Sequence, residues 1–592
     1  MVRIVPTASS TTSSSTTTIS NNWWTRRFVY VLLCLGIFLI LQVWNQHGVL
    51  FSLMDSTPSK TTDVVDVTLQ TIQDNNNNNN IAESVIDKRK EQETTTTTST
   101  STNKEQETTS TSTNKEQETT SISTNKEQET TTTTTTEKKK KKMNVLLLYA
   151  DDWTHDTLGA AGNTVVQTPV LDQLAKEGIR FTQNCVTTSI CWCSRATLFT
   201  GLYTARHNTT LPQQWPFGWK KALYQLFKDD GYSVAHAGKL GIWTDYTDLK
   251  LDFFTNDDGW HKQTIGGKEW HVTEKNEADS LRYLRERDTN KPFFLNTAFF
   301  ATHAVDGDKR QYLPMDSSLP LYNDTTVPTP KTATQEAWEA MPPFFDDRNE
   351  GRTRWKWRFD TPEKFQSMMK NYYRMATEVD TAAGNIIAEI KRQGEWDNTL
   401  VIFTTDNGNF HAQHGLADKW YPHQESLRVP LIIRDPRMTP DQLGTINEEF
   451  TLNIDLAPTL LTAANIPIPP HMMGRDMSTL WLNQKDEKPS SWRTEFFYEH
   501  PASFAKDFIP ASEALVRKDY KYFYWPQYEY EQLFHIPTDP HEEYDLLHLD
   551  DATKDAVSSH KNETEIQSIV IEMRNRFQEL KGIVHSDQIV TL

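Results

Sequence analysis

Two pairs of oxygen-bearing side chains are the first candidates for chemistry in this sequence. Asp151 and Asp152 directly follow one continuous apolar run, and Asp406 and Asn407 directly follow another. Carboxylate and amide oxygens are the ligands that Ca²⁺ and Mg²⁺ prefer, whereas zinc prefers His and Cys. A single Asp-Asp pair is more simply a helix cap or a surface turn. Two such pairs, each after a buried strand, predict a site for Ca²⁺, with Mg²⁺ as the alternative.

The elements that must position these residues alternate between apolar runs and amphipathic segments. Continuous apolar runs are typical of strands covered on both faces, and apolar residues spaced by three and four are typical of helices. Strands that alternate with helices predict an α/β fold with a mostly parallel central sheet flanked by helices. The predicted strands are residues 144–152, 232–237, 292–300 and 399–405, and the predicted helices are residues 168–178, 220–230 and 372–392.

Two further polar side chains follow predicted strands. Lys239 comes after the strand at 232–237, and His303 comes after the strand at 292–300. In parallel sheets, ligands bind beyond the carboxyl ends of the strands, so these residues should join the two metal-binding pairs at one edge. In isolation, Lys239 would be interpreted as a surface lysine and His303 as a packed structural histidine. Their convergence with the acidic pairs favours a single site.

Composition excludes several classes of protein. The chain of 592 residues has 61 Lys and Arg against 79 Asp and Glu, a formal net charge of −18. No nucleic-acid partner is expected, because nucleic-acid binding needs a basic surface. Four cysteines in so long a chain exclude a disulfide framework. The length predicts two or more domains.

The N-terminal region is predicted to be a membrane anchor. Residues 28–44 contain no charged side chain, and this length is near the lower limit for a spanning helix. Positive charges before this stretch predict a cytosolic tail at 1–27 and a signal anchor at 28–46. The protein is therefore expected to be a single-pass type II membrane protein of the Golgi or ER lumen, or of the cell surface. The alternatives are a cleaved signal peptide and a buried globular helix.

Residues 47–142 are predicted to form a disordered, Thr-rich stalk. An 11-residue unit recurs there, with its Asn at positions 103, 114 and 125, but the unit has no apolar residue that could form a helical seam. Such a segment buries too little surface to offset its chain entropy. The remaining predicted domains are a catalytic domain at 143–474 and a smaller C-terminal domain at 475–592.

The segment Cys191–Gly201, CWCSRATLFTG, resembles the signature of the type I sulfatases. That signature is a Cys, any residue, Pro or Ala, then Ser and Arg, leading to a Thr-Gly. Further segments resemble the same family in the same order. They are VLLLYADDW at 145–153, TTDNG at 404–408, HGLADKW at 414–420, DLAPTL at 455–460 and RKDYKYFY at 517–524.

The resemblance implies the fold of the alkaline phosphatase superfamily, with a smaller C-terminal α+β domain. It also implies that a formylglycine-generating enzyme converts Cys191 to formylglycine during biosynthesis. The aldehyde hydrate then attacks the sulfur of a sulfate ester, and its second hydroxyl allows sulfate to be expelled. The implied catalytic residues are Cys191, Arg195, Lys239, His303 and Lys419, and the implied metal ligands are Asp151, Asp152, Cys191, Asp406 and Asn407. In these roles Arg195 holds the hydrate, the lysines bind sulfate, and His303 protonates the leaving alcohol.

Two departures from the family pattern affect these expectations. Cys193 stands where the family has Pro or Ala, and it could form a disulfide with Cys185 or Cys191. The family often has a His two residues after the Lys of its GKWH segment, but residues 238–243 read GKLGIW. The nearest alternatives for that His are His236 and His261, and neither is favoured. Substrate contact is also considered for His207, His411 and His414.

Three functions follow from these observations. The favoured function is hydrolysis of sulfate monoesters, with a sulfated glycan as the expected substrate because the anchor and stalk suggest work at a membrane. The second is a phosphohydrolase or phosphotransferase of the same superfamily. Those enzymes use Thr or Ser as nucleophile, which Cys191 argues against. The third is a non-catalytic glycan-binding relative, suggested by the missing His and by Cys193.

Overall fold

The computed structural model describes residues 141–482, 492–549, 553 and 563–587. The predicted cytosolic tail at 1–27, the anchor at 28–46 and nearly all of the stalk at 47–142 lie outside the described residues. Among the residues that are described, no helix combines the length and the apolar character needed to cross a membrane.

The described chain contains eighteen strands in five sheets. They are β1 Asn144–Ala150, β2 Ile179–Phe181, β3 Asn184–Cys185, β4 Ser233–Gly238, β5 Phe253–Thr255, β6 Lys262–Ile265, β7 Lys268–His271, β8 Phe293–Ala298, β9 Thr399–Thr405, β10 Phe410–His411, β11 Ala417–Asp418, β12 Leu431–Arg434, β13 Thr445–Asn447, β14 Thr451–Leu452, β15 Glu495–His500, β16 Ser512–Arg517, β17 Tyr520–Trp525 and β18 Tyr530–His535.

The central sheet has eight strands in the order β13-β2-β12-β9-β1-β8-β4-β5. Five of its neighbouring pairs are parallel, and the two antiparallel pairs are those of β12 with β9 and with β2. This confirms the mostly parallel sheet that the apolar runs predict. Of the four predicted strands, β9 matches its predicted bounds, and the other three agree within two residues at each end.

Strand β1 lies at the middle of this sheet and is buried on both faces. Its alternate residues enter two different cores, because successive side chains of a strand point to opposite faces. Leu146 and Leu148 contact the core that includes the long helix, whereas Val145 and Leu147 contact the core on the other face. All four side chains are fully buried, as a strand covered by helices on both sides requires.

Twelve α-helices with defined bounds accompany the strands in the part of the chain that the structure describes. They are α1 Pro169–Lys176, α2 Cys191–Thr200, α3 Thr204–His207, α4 Leu223–Asp229, α5 Val272–Glu286, α6 Gln335–Glu339, α7 Glu350–Arg358, α8 Pro362–Arg392, α9 Gln424–Leu427, α10 Leu456–Ala463, α11 Thr479–Leu482 and α12 Glu563–His585.

Helix α8 begins ten residues earlier than predicted, at Pro362 instead of residue 372. Its start carries two ordinary signals. The Thr361 side chain accepts a hydrogen bond from the Lys364 N–H, and proline occupies the first helical position. Phe365 and Met369 then continue the buried face of the helix toward its N-terminus. The earlier start matters because α7, which precedes α8 directly, carries residues that act on the site.

A second sheet of four antiparallel strands, β15 to β18, follows the central domain. Helix α12 packs on it through Phe577, which lies 5.6 Å from Phe497 and 5.3 Å from Tyr522, between ring centroids. This confirms the smaller α+β region that the family resemblance implies. Its core also includes Leu202 and Leu427 from the first part of the chain. The predicted boundary between residues 474 and 475 stays a prediction.

Candidate active site

The carboxyl ends of four strands bring the predicted polar residues to one edge of the central sheet. Asp151 and Asp152 directly follow β1, and Asp406 and Asn407 directly follow β9, its parallel neighbour. These four side chains are fully buried. Lys239 follows β4 and His303 lies five residues beyond β8, and these two strands are also adjacent in the sheet. The expected convergence of the strand ends is present.

Four of the predicted residues form a close cluster of potential metal ligands. One ligand atom from each of Asp151, Asp152, Cys191 and His303 lies within 4.8 Å of the others. The Asp152 Oδ2 and Asn407 Oδ1 atoms are buried and have no hydrogen-bond partner in the structure. Buried polar atoms are rarely left without a partner, and both are hard oxygen donors. The residues therefore fit a hard divalent cation.

Arg195 connects the two acidic pairs. Its guanidinium donates to Asp406 Oδ2 at 2.8 Å, to Asp151 Oδ2 at 3.2 Å and to the Lys239 carbonyl oxygen at 2.6 Å. The side chain is 1% exposed and lies over the Tyr149 ring, 5.0 Å from its centroid. Removing one member of such a buried ion pair typically costs about 3–5 kcal/mol, because the other charge is left uncompensated. Arg195 therefore fixes the positions of Asp151 and Asp406 relative to each other.

Two lysines neutralise the remaining negative charge of the cluster. Lys239 Nζ lies 2.5 Å from Asp151 Oδ2, and Lys419 Nζ forms an ion pair with Asp152 Oδ1. Burial lowers the pKa of each lysine, but Asp151 for Lys239 and Asp152 for Lys419 more than offset this, so both pKa values lie above the ordinary value. Both lysines therefore stay charged and can act on an anionic ester.

The pKa shift of Asp151 favours its uncharged form instead. Burial, followed by the charge of Asp406, raises its pKa to about 7, and Lys239 and Arg195 only partly counter this. The carboxylate is therefore costly to keep charged in this dry environment, and additional positive charge beside it would stabilise the ionised form. A divalent cation would supply such charge.

Cys191 is the first residue of α2, at the end of the helix where backbone N–H groups are unpaired. Its Sγ lies 3.5 Å from Asp151 Oδ1, and the side chain is 5% exposed. Burial and the neighbouring Asp151 raise the pKa of the thiol well above its usual value. The unmodified thiol is therefore a poor nucleophile, although the helix N-terminus and the adjacent lysines favour an anion at this position.

His303 lies beside the acidic cluster with its Nε2 3.8 Å from Asp152 Oδ2. Burial, Lys419 and Lys239 lower the pKa of the imidazole well below its usual value. The ring is held by the neighbouring backbone, since His303 Nδ1 lies 2.5 Å from the Ala304 carbonyl oxygen. The His303 carbonyl in turn accepts a hydrogen bond from His261 Nε2 at 2.7 Å. His261 therefore supports the His303 loop and has no contact with Cys191.

The other histidines that were considered lie elsewhere. His236 accepts a hydrogen bond from the Tyr224 hydroxyl at 2.7 Å, and His207 Nε2 lies 3.2 Å from Thr197 Oγ1, so both have structural partners. His414 is buried beside His423, with 5.0 Å between the ring centroids. His411 lines a cavity of about 460 Å³ whose walls include none of the nine predicted site residues. Among the described residues, His303 is the one histidine in the cluster of potential metal ligands.

The cysteines near the site are not paired. Cys185, Cys191 and Cys193 are all free in the structure, so neither of the two considered disulfides is present. The Cys193 thiol donates to the Thr209 carbonyl oxygen at 3.1 Å and is fully buried. Residue 193 thus packs into the core behind α2, where a small side chain is suitable.

Gly241 occupies the position of the missing His, two residues after Lys239. Its φ of +75° lies in the left-handed region, and a Cβ atom there would lie 2.6 Å from Cδ of Arg195. The space that a side chain at this position would need is therefore filled by Arg195. The conformation of Arg195 seen here therefore depends on a residue without a Cβ at position 241.

Comparison with known proteins agrees with this geometry. The family model described as Sulfatase matches residues 143–466, which is more than half of the chain. The chain belongs to the sulfatase family. A second model, described as N-sulphoglucosamine sulphohydrolase, C-terminal, matches residues 412–572 of this sulfatase. The first match covers the central sheet and every residue of the candidate site.

The alignments between this sulfatase and two curated relatives cover most of the length of each relative. An N-acetylglucosamine-6-O-sulfatase of Bacteroides thetaiotaomicron is 24% identical over 68% of this chain and 82% of its own. An arylsulfatase of Clostridium perfringens is 26% identical over 69% of this chain and 91% of its own. The curated relatives thus include sulfuric ester hydrolases, and the sulfatase is assigned to that class of enzyme.

Solved structures share the fold of this sulfatase. A protein in complex with its substrate D-glucosamine-2-N,6-O-disulfate has a TM-score of 0.63 and 20% identity, covering 76% of this chain and 99% of its own. A phosphonate monoester hydrolase of Agrobacterium radiobacter has a TM-score of 0.57 and 21% identity, covering 74% and 96%. At such identities these likenesses establish the fold, including the C-terminal sheet.

Three residues at the site of the sulfatase escaped the sequence analysis. The Tyr372 hydroxyl donates to the Asp152 carbonyl oxygen at 2.9 Å, and Arg354 binds Asp418 at 2.6 Å beside Lys419. The sequence could have indicated a role for Asp418, because this residue directly precedes a candidate catalytic lysine. Tyr372 and Arg354 lie on helices whose sequence gives no indication of the loops they contact.

We expect Gly241→Ala to lower both stability and activity. A non-glycine residue with a positive φ costs about 1–3 kcal/mol, and the added methyl group would also displace Arg195. The matched control is Gly267→Ala, because Gly267 has the same φ of +75° and nothing within 4 Å of the added atom. Chemical denaturation and kcat of the folded enzyme measure the two effects. Equal losses in both variants would contradict the assigned role of Gly241.

Proposed function

We propose that this sulfatase hydrolyses sulfate monoesters on glycans, with residue 191 acting as a formylglycine hydrate beside a divalent cation. The observation that carries the proposal is the position of Cys191. It lies at a helix N-terminus, against Asp151, between two buried lysines. The hydrate would provide a nucleophile and a second hydroxyl that releases sulfate, and the cation would lower the pKa of the attacking hydroxyl.

The chain's own residues have separable roles in this proposal. Lys239 and Lys419 bind the anionic group and offset the charge that develops on its oxygens during transfer. His303, which lies beside Asp152, would donate a proton to the leaving alcohol, and a bound anion would favour its protonated form. Arg195 holds Asp151 and Asp406 in place. The cation would be held by Asp151, Asp152, Asp406 and Asn407, with residue 191 beside them.

A glycan is the proposed substrate class because of the relatives and the architecture. The relatives include an N-acetylglucosamine-6-O-sulfatase and an ulvan-active sulfatase, and one structural relative holds a sulfated glucosamine. The surface of the described chain exposes Trp243 by 55% and Trp260 by 60%, close to Lys239 and His261 in sequence. Exposed indole rings are suited to stack on sugar rings. Calcium is the proposed ion, because all the proposed protein ligands other than residue 191 are oxygen atoms.

The first prediction concerns the modification of residue 191. A peptide containing residue 191, from a host with a formylglycine-generating enzyme, should be about 18 Da lighter than its unmodified form. The purified enzyme should hydrolyse 4-nitrophenyl sulfate faster than 4-nitrophenyl phosphate. Cys191→Ala should abolish turnover and leave the fold intact, as circular dichroism can check. An unmodified peptide together with a preference for the phosphate ester would favour the phosphohydrolase alternative.

A second prediction concerns the cation. Chelation with EGTA should stop hydrolysis, and Ca²⁺ should restore it at lower concentration than Mg²⁺. Ca²⁺ at 100 times its Kd should also stabilise the fold by about 2.7 kcal/mol. Asn407→Ala removes an uncharged ligand, so it should abolish the Ca²⁺-induced rise in Tm without changing the net charge. An equal rise in wild type and variant would exclude Asn407 as a ligand.

A third prediction concerns membrane topology. We propose that residues 28–46 anchor the enzyme with its catalytic domain in the lumen of the secretory pathway. The acceptor tripeptides at Asn208 and Asn323 agree with a lumenal location, and both asparagines are exposed. Protease added to sealed microsomes should then trim only the N-terminal tail, and the rest should be digested after detergent is added. Complete digestion without detergent would contradict this topology.

A further inference from the structure

The loop that presents Lys419 is held in a strained backbone conformation. Asp418 and Trp420, on either side of Lys419, have φ values of +67° and +85°, in the region that disfavours residues with a Cβ. Such conformations persist only when surrounding contacts enforce them, and they are concentrated at functional sites. The contacts that enforce this loop therefore determine where the Lys419 amine lies.

Helix α7 supplies those contacts through two arginines. Arg354 NH1 lies 2.6 Å from Asp418 Oδ2, and Arg358 NH1 lies 2.9 Å from Asp418 Oδ1. Asp418 is fully buried, and the two guanidinium groups hold both of its carboxylate oxygens. Arg358 is itself 0% exposed, whereas the side chain of Arg354 is 14% exposed at the edge of the arrangement. The two arginines on one face of α7 therefore hold the Lys419 loop in place.

Arg354 also reaches the loop that presents His303. Its NH1 lies 2.7 Å from Oδ1 of Asp306, which is three residues beyond His303. Its Nε donates to Glu350, one turn earlier on α7, at 2.7 Å. One guanidinium group therefore joins the Lys419 loop, the His303 loop and helix α7. Contacts with three carboxylates keep Arg354 charged and hold its side chain in one conformation.

We propose that Arg354 is a positioning residue that fixes the positions of Lys419 and His303, which both lie against Asp152, relative to each other. Resting on the proposed function, this assigns to Arg354 a role in turnover without contact to substrate. Transfer of a sulfuryl group needs the anion-binding lysine and the proton donor to act on the same bound ester. Small displacements of catalytic groups by remote changes can cost up to about 100-fold in rate.

The test is a comparison of Arg354→Met with Asp306→Asn and with the double variant. Asp306 is 56% exposed in its side chain, so Asp306→Asn is not expected to affect folding. Each variant is assayed for kcat and KM with 4-nitrophenyl sulfate and with N-acetylglucosamine 6-sulfate. Lys356→Met is the matched control, because it removes an exposed ion pair of α7, with Asp347, that reaches neither loop. Urea denaturation of every variant gives the fraction folded.

The two substrates separate positioning from general stability. The sugar ester has a poor leaving group and depends on proton donation, whereas nitrophenolate leaves readily without it. Arg354→Met should lower kcat about 10- to 100-fold on the sugar ester and less on the aryl ester. The double variant should lose no more than Arg354→Met alone, since both changes break the same link. Lys356→Met should keep kcat within about twofold on both esters, because an exposed ion pair contributes little.

Three results would overturn the inference. They are an unchanged kcat per folded enzyme in Arg354→Met, equal losses on both esters, or losses in the double variant that are the sum of the single losses. Arg354→Lys is the second variant if Arg354→Met folds poorly. A lysine keeps the charge but cannot bridge two carboxylates through one planar group, so it should show the same dependence on leaving group. Absence of sulfate-ester hydrolysis by the wild type would instead refute the proposed function on which the inference rests.

Discussion

Charge balance inside a dry site is the constraint on which this structure depends. Three carboxylates, Asp151, Asp152 and Asp406, and three cationic side chains, Arg195, Lys239 and Lys419, are each at most 5% exposed. Their formal charges sum to −3 + 3 = 0, which agrees with the rule that buried charges are paired. Binding a divalent cation to this set would leave it with a charge of +2. A site with that excess is suited to an anionic ester and to the negative charge that develops as its bond breaks.

The parallel sheet is what makes this density of charge possible. Each carboxylate follows a strand that is paired with its neighbour along its whole length and whose side chains enter both cores. The β1–β9 pair therefore sets the distance between the two acidic turns. Arg195 then enters from α2, on the face of the sheet where Gly241 leaves room for it. A side chain at 241 would collide with Cδ of Arg195 in its observed conformation.

Much of this arrangement was predictable because the signals are local. Apolar runs indicated β1, β4, β8 and β9, and polar residues at their ends indicated the site. The start of α8 was missed because periodicity was followed and the Thr361-Pro362 start signal was not. Arg354 could not be found in this way, since its partners Asp306 and Asp418 lie 48 and 64 residues away in sequence. Contacts between separate loops leave no periodic pattern, so only the folded structure reveals them.

The buried ionic groups of the site also indicate whether it catalyses a reaction or only binds a ligand. A protein that only binds sulfated glycans can do so with exposed arginines and lysines, for which the free-energy cost of desolvation is small. Here six ionic side chains are buried instead, two hard oxygen atoms are left without partners, and Asp152 and both neighbours of Lys419 have positive φ values. Each of these features lowers the stability of the folded chain by itself. Their combination at one edge of the sheet is understandable when the groups act together on a bond, and it has no evident use in a surface that only holds a sugar.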